Sequence, residues 1–126
     1  MKNTGHVLMS QTEAITQAAT TSTTSIIIPA KSQLVSADLY VSVIWSGSAA
    51  TAGLGYVGDA TAFTAAAAFT GGVLGIIKIT AGAVKAKVDA WADVGATDRR
   101  LLLTYPNLGA GEGWITVTYI QAVDVG

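Results

Sequence analysis

The stretch Leu34–Trp45, LVSADLYVSVIW, constrains the fold of this chain more than any other. Val35, Ala37, Leu39, Val41, Val43 and Trp45 take every second position, and Ser36, Asp38, Tyr40 and Ser42 stand between them. Alternation with a period of two, in side chains rich in β-branched and aromatic types, predicts a strand with one face in a core and the other in water.

Other segments read the same way. Ile26–Pro29 predicts a strand buried on both sides or crossing between layers, stopped by Pro29, which has no N–H to donate. Ala52–Val57, Val73–Thr80, Arg99–Tyr105 and Gly113–Gln121 complete a set of about seven or eight short strands at sandwich spacing. Ser46-Gly47-Ser48 is a break, and Pro106–Gly113 is rich in turn formers and long enough for a hairpin loop. Asp59 is placed to cap one short helix that Gly71 ends, with Phe63 and Ala66–Ala67 on one face. Ala83–Ala92 fits both periods; its unbroken polar alternation favours a strand ending near Trp91. Residues 1–24 are small and polar, with one short strand at most in Gly5–Met9, and predict a flexible arm. The expected architecture is all-β: a jelly-roll or β-sandwich domain over 25–126, an N-terminal arm over 1–24, and one short helix.

Composition excludes several function classes. At 126 residues the chain is one domain. A net charge of −1 with only 12% charged residues gives no electrostatic footprint for nucleic acid. There is no cysteine and a single histidine, His6, so thiolate metal sites, His-pair sites and Ser–His triads lack their parts. No enzyme activity and no cofactor are expected. The N-terminus lacks the apolar run of a signal peptide, which predicts synthesis in the cytosol. The charge-free gaps Asp38–Asp59 and Asp59–Lys78 approach the roughly 20 residues of a membrane span, but glycines interrupt both and basic flanks are missing. No membrane partner is expected.

Candidate sites are few. GLGYVGD (Gly53–Asp59) lacks the order of a nucleotide loop and reads as turn and bulge glycines. Asp89, Asp93 and Asp98 are too widely spaced for a calcium loop, and Asp98 beside Arg99 and Arg100 reads as a loop-to-strand ion pair. Arg99 and Arg100 fall on opposite faces of one strand: either both reach solvent from a strand end by snorkelling, or one pairs with a carboxylate on another subunit. Trp45 continues a buried row. Trp114 stands with Thr116 and Thr118, away from Ile115 and Val117, and Tyr40 lies on the polar face of its own strand. An aromatic ring on a hydroxyl-lined face is an interface anchor or a sugar-stacking platform. The candidate interface residues are therefore Tyr40, Trp114, Thr116, Thr118, Arg99 and Arg100.

IIIPAKSQLVSADLYVSVIW, YVGDATAFTAAAAFTGG and the closing WITVTYIQA together resemble small virion structural proteins of tailed bacteriophages. The resemblance covers residues from about 26 to 122 and is one of pattern. It implies a β-sandwich or jelly-roll head protein on the capsid surface of the virion. Such a decoration or cement protein binds major capsid protein subunits, often as a homotrimer. It carries over no catalytic residue, and it leaves cement, fibre-base and tail roles open. A carbohydrate-binding or host-adhesion module is the alternative.

Overall fold

The computed structural model describes residues 6–17, 21–45, 51–65, 69–70, 72–105 and 109–122. The predicted break at 46–48, the Ala66–Ala67 turn, Gly71 and part of the 106–113 connection lie outside them.

Among the described residues, eight strands and one helix follow in chain order: β1 His6–Thr16, β2 Thr21–Ile28, β3 Gln33–Val43, β4 Thr51–Tyr56, β5 Phe69–Thr70, β6 Gly75–Ile79, α1 Lys85–Ala92, β7 Arg99–Thr104 and β8 Glu112–Ala122. They form two four-stranded antiparallel sheets, β1-β8-β3-β6 and β2-β7-β4-β5. The first strand lies beside the last, the second beside β7, the third beside β6 and the fourth beside β5. The chain is thus a long hairpin folded back over itself, an all-β sandwich as expected.

Between the sheets, Leu39, Val41, Ile115 and Val117 from one layer meet Ile28, Leu54, Leu101 and Leu103 from the other, all essentially inaccessible to water. Trp45 and Tyr105 close one end, their rings edge to face at 5.0 Å. Burial of this apolar surface is the main favourable term in the fold.

Three expectations about elements are corrected. Residues 6–16 are no arm: β1 pairs with β8 from His6↔Ala122 to Thr16↔Glu112, and residues 21–24 open β2. The strand was hidden because its core-facing positions near the sheet edge are Gln11 and Glu13, which tether β2 instead of filling the core. Ala83–Ala92 does not form a strand; Lys85–Ala92 is helical. Both sheets are complete without it, and an i,i+4 pair of Lys85 with Asp89 at 2.7 Å favours the helix. Trp91 docks it, its Nε1 donating to the Phe63 carbonyl at 2.8 Å.

The third correction concerns Asp59. Its carboxylate does accept from the Thr61 amide, but the Phe63 and Thr64 amides donate to the Leu54 carbonyl. The chain therefore runs back along β4 instead of coiling. Gly55 makes this possible: a Cβ there would lie 2.4 Å from the Ala60 backbone. The glycines of Gly53–Asp59 thus serve a turn and a close approach.

β2 is not buried on both sides and does not cross between layers, but alternates simply, whereas β3 departs from simple alternation. In β2, Ile26 and Ile28 are buried, while Ile27 turns outward opposite Arg100. In β3 the register against β8 shifts between Leu34 and Ser36 and again between Val41 and Val43. Each bulge reverses the parity of the strand beyond it. Leu34 is therefore buried, whereas Val35 and Val43 are 48% and 41% exposed.

Candidate interaction face

The outer surface of β1-β8-β3-β6 is built in rows by the strand register. Ile76 stands opposite Tyr40, Tyr40 opposite Trp114, and Trp114 opposite Ala14. Four strands about 4.8 Å apart make this row about 14 Å long. Ile76 is 71% exposed, Trp114 48% and Tyr40 46%. Gly113 lets the two central strands close up here, since a Cβ on it would sit 2.2 Å from the Tyr40 carbonyl oxygen.

On one side of this apolar row lies a polar one, Lys78, Asp38, Thr116 and Thr12. Lys78 Nζ is 3.3 Å from Asp38 Oδ1, and the Thr12 and Thr116 hydroxyls are 2.9 Å apart. The next row joins Thr118 and Ser10, hydroxyl to hydroxyl at 3.3 Å. On the other side of the apolar row, Val43 lies opposite Glu112 and Glu112 opposite Thr16. The result is a band of exposed aromatic and aliphatic surface framed by hydroxyls and charges. An apolar centre with a polar rim is the anatomy of a protein interface.

Of the six sequence candidates, the structure brings Tyr40, Trp114, Thr116 and Thr118 together on this one face. Arg99 and Arg100 are on β7, in the other sheet. Arg99 ends the core-facing row, where its guanidinium stacks over the Tyr56 ring at 4.1 Å and Nε donates to the Val94 carbonyl. Arg100 is exposed and donates to the Thr24 carbonyl at 3.2 Å. The expected ion pair with Asp98 is replaced, because Asp98 accepts from the Ala30 amide at 2.9 Å.

Asp89, Asp93 and Asp98 each turn to a different partner: Lys85, the Gly95 amide and the Ala30 amide. No group of three potential metal ligands occurs among the described residues. No helix among them is long and apolar enough to cross a membrane. Tyr105 is pushed up to about 12 by burial, against the opposing pull of the hydrogen bond its hydroxyl donates to Ser22.

Sequence reasoning missed Ile76. VLGIIKI is apolar at both parities around its strand, and it is the pairing of Ile76 with Tyr40 that sets Ile76 on the outer face. The Lys78 that follows two positions later was the available signal, since it fixes which parity faces water.

No protein family and no curated protein matches this chain. Among solved structures it is similar to a chain of the "Cyanophage Pam1 capsid asymmetric unit". The TM-score is 0.61 at 16% identity, over 92% of this chain and 86% of that one. The two chains share a fold.

Proposed function

We propose that this chain is a structural component of a phage virion that docks on the capsid shell through the outer face of β1-β8-β3-β6. The strand order, a doubled hairpin across two four-stranded sheets, supports reading the sandwich as a jelly roll. The observation that carries the reading is the row Ile76–Tyr40–Trp114, exposed on a sandwich whose fold recurs in a phage capsid chain.

In this reading the protein is a decoration or cement protein and acts by binding alone, without catalysis. It bridges major capsid protein subunits and is located on the virion surface. Affinity for the assembled lattice over free subunits stabilises the lattice by mass action. Tyr40 and Trp114 anchor the contact, and the Thr116 and Thr118 hydroxyls satisfy the partner's polar groups around them. The copies stand as trimers, which light scattering of the purified protein checks: a single-chain mass at every concentration would remove the trimer.

The deciding experiment adds purified protein to shells that lack it and compares wild type with Trp114→Ser. Wild type should bind and raise the temperature at which shells open, and the variant should bind at least tenfold more weakly. Equal binding by both would overturn the face assignment.

A second reading has one observation behind it. The Tyr40–Trp114 pair is flanked by Asp38, Glu112 and Thr116, a set that suits a sugar ring stacked on an aromatic platform. Binding to a glycan array, lost in Trp114→Ala, would favour an adhesion role.

A further inference from the structure

A two-sheet sandwich has four edges, and three of them are closed here. The edges of β1 and β2 meet at one corner, where Gln11 Nε2 donates to the Ile27 carbonyl at 2.9 Å. Beside it both Glu13 carboxylate oxygens accept from the Ser25 amide at 3.1 Å. Side chains reaching across in this way leave no clean template for another strand. At the third edge β5 is only two residues long, and the 59–64 segment covers the adjoining stretch of β4.

The edge at β6 differs. Apart from its pairing with β3 and the Lys78–Asp38 contact, Gly75–Ile79 makes no hydrogen bond among the described residues. A lysine normally protects such an edge. Lys78, the strand's one charge, is instead turned to Asp38 of its own chain. Val73, Leu74 and Ile76 nearby are 65%, 59% and 71% exposed.

We propose that β6 pairs antiparallel with the β6 of a second copy of this chain, about a two-fold axis at Ile77. With the other three edges closed, β6 is the edge each copy has to offer, so the contact is isologous. An axis at Ile77 pairs all five residues of the strand. It sets Ile76 opposite the partner's Lys78 on the outer face, where the lysine's aliphatic stem covers the isoleucine and its ammonium stays with Asp38. The two sheets join into one, in which the apolar row Ile76–Tyr40–Trp114 of each copy runs on into the polar row Lys78–Asp38–Thr116 of its partner. Five residues a side is far fewer than the roughly 20–30 of a standard interface. The contact is therefore weak in dilute solution and gains strength when many copies are held on one lattice. It rests on the edges of the sandwich and is independent of which surface the face binds.

The chain has no cysteine, so Ile77→Cys places one thiol on the axis. At high protein concentration under mild oxidation this variant should form a covalent dimer, and Thr23→Cys on the closed β2 edge should not. Adding Ile76→Lys, at an exposed position, sets a lysine against the partner's Lys78 and should cut the Ile77→Cys dimer yield at least tenfold. In the unmodified chain, amide exchange over 75–79 should slow as concentration rises, and Ile76→Lys should abolish the slowing. Equal yields from Ile77→Cys and Thr23→Cys would overturn the proposal, as would exchange over 75–79 that ignores concentration. Protection that appears only when another virion protein is added makes the occupant a foreign strand and equally overturns self-pairing.

Discussion

Replacing Val41 and Val43 in turn by lysine tests the bulge that ends β3. Simple alternation puts both valines in the core, but the register shift between them leaves Val41 1% exposed and Val43 41% exposed. Val41→Lys loses the burial of a valine, worth about 1.5–3 kcal/mol. It also forces a charge between the sheets, at an effective penalty of several kcal/mol. The sum reaches the lower end of the roughly 5–15 kcal/mol stability of a whole domain, so most of this variant should be unfolded at 25 °C. Val43→Lys adds a lysine on the outer face directly opposite Glu112. An opposite-charge cross-strand pair contributes about 0.2–1 kcal/mol, so stability should stay level or rise slightly. Urea denaturation followed by tryptophan fluorescence reads both. If Val43→Lys is as damaging as Val41→Lys, the strand has no bulge and the outer-face map built on its register is wrong.

Leu39→Ala removes a side chain with no exposed area and should cost about 2–5 kcal/mol in the same assay, whereas Tyr40→Ser beside it should fold normally. Gly55→Ala drives a methyl into the Ala60 backbone, which has no flexible side chain to yield. It should cost about 1–3 kcal/mol or more and expose the 59–64 segment to proteolysis. Tyr105 holds its proton more tightly folded, with a pKa of about 12 against an ordinary 10. Its contribution is therefore intact below about pH 10 and lost as the pH rises towards about 12, on the order of 2–3 kcal/mol. Urea midpoints across that range should fall more steeply for wild type than for Tyr105→Phe.

The long strands of the core were legible because their periodicity is dictated by one dry and one wet face: Leu39, Val41, Ile115 and Val117 alternate as they pack. Tyr40, Trp114, Thr116 and Thr118 were legible for the same reason, as exceptions on the wet side. β1 was not, since Gln11 and Glu13 occupy core-facing positions to tie a corner, and polar residues there imitate an unstructured tail. The outward turn of Val35 and Val43 was equally hidden, because a bulge is a property of the pairing between two strands. Lys85–Ala92 alternates in polarity by coincidence, and only the completed sheets show that it has no strand to pair with. The separation of Arg99 and Arg100 from Trp114 depends on which sheet β7 joins, a long-range matter that local pattern does not carry.

The central claim is that the Tyr40–Trp114 face is buried against the shell. Cryo-electron microscopy of particles containing this chain, at a resolution that places side chains, measures it directly. The account predicts the sandwich on the capsid surface, with Ile76, Tyr40 and Trp114 pressed against a neighbouring capsid subunit and Arg100 of the opposite sheet turned to solvent. A map in which this face points into water while the opposite sheet makes the contact would contradict it, as would particles that carry no copy of the chain.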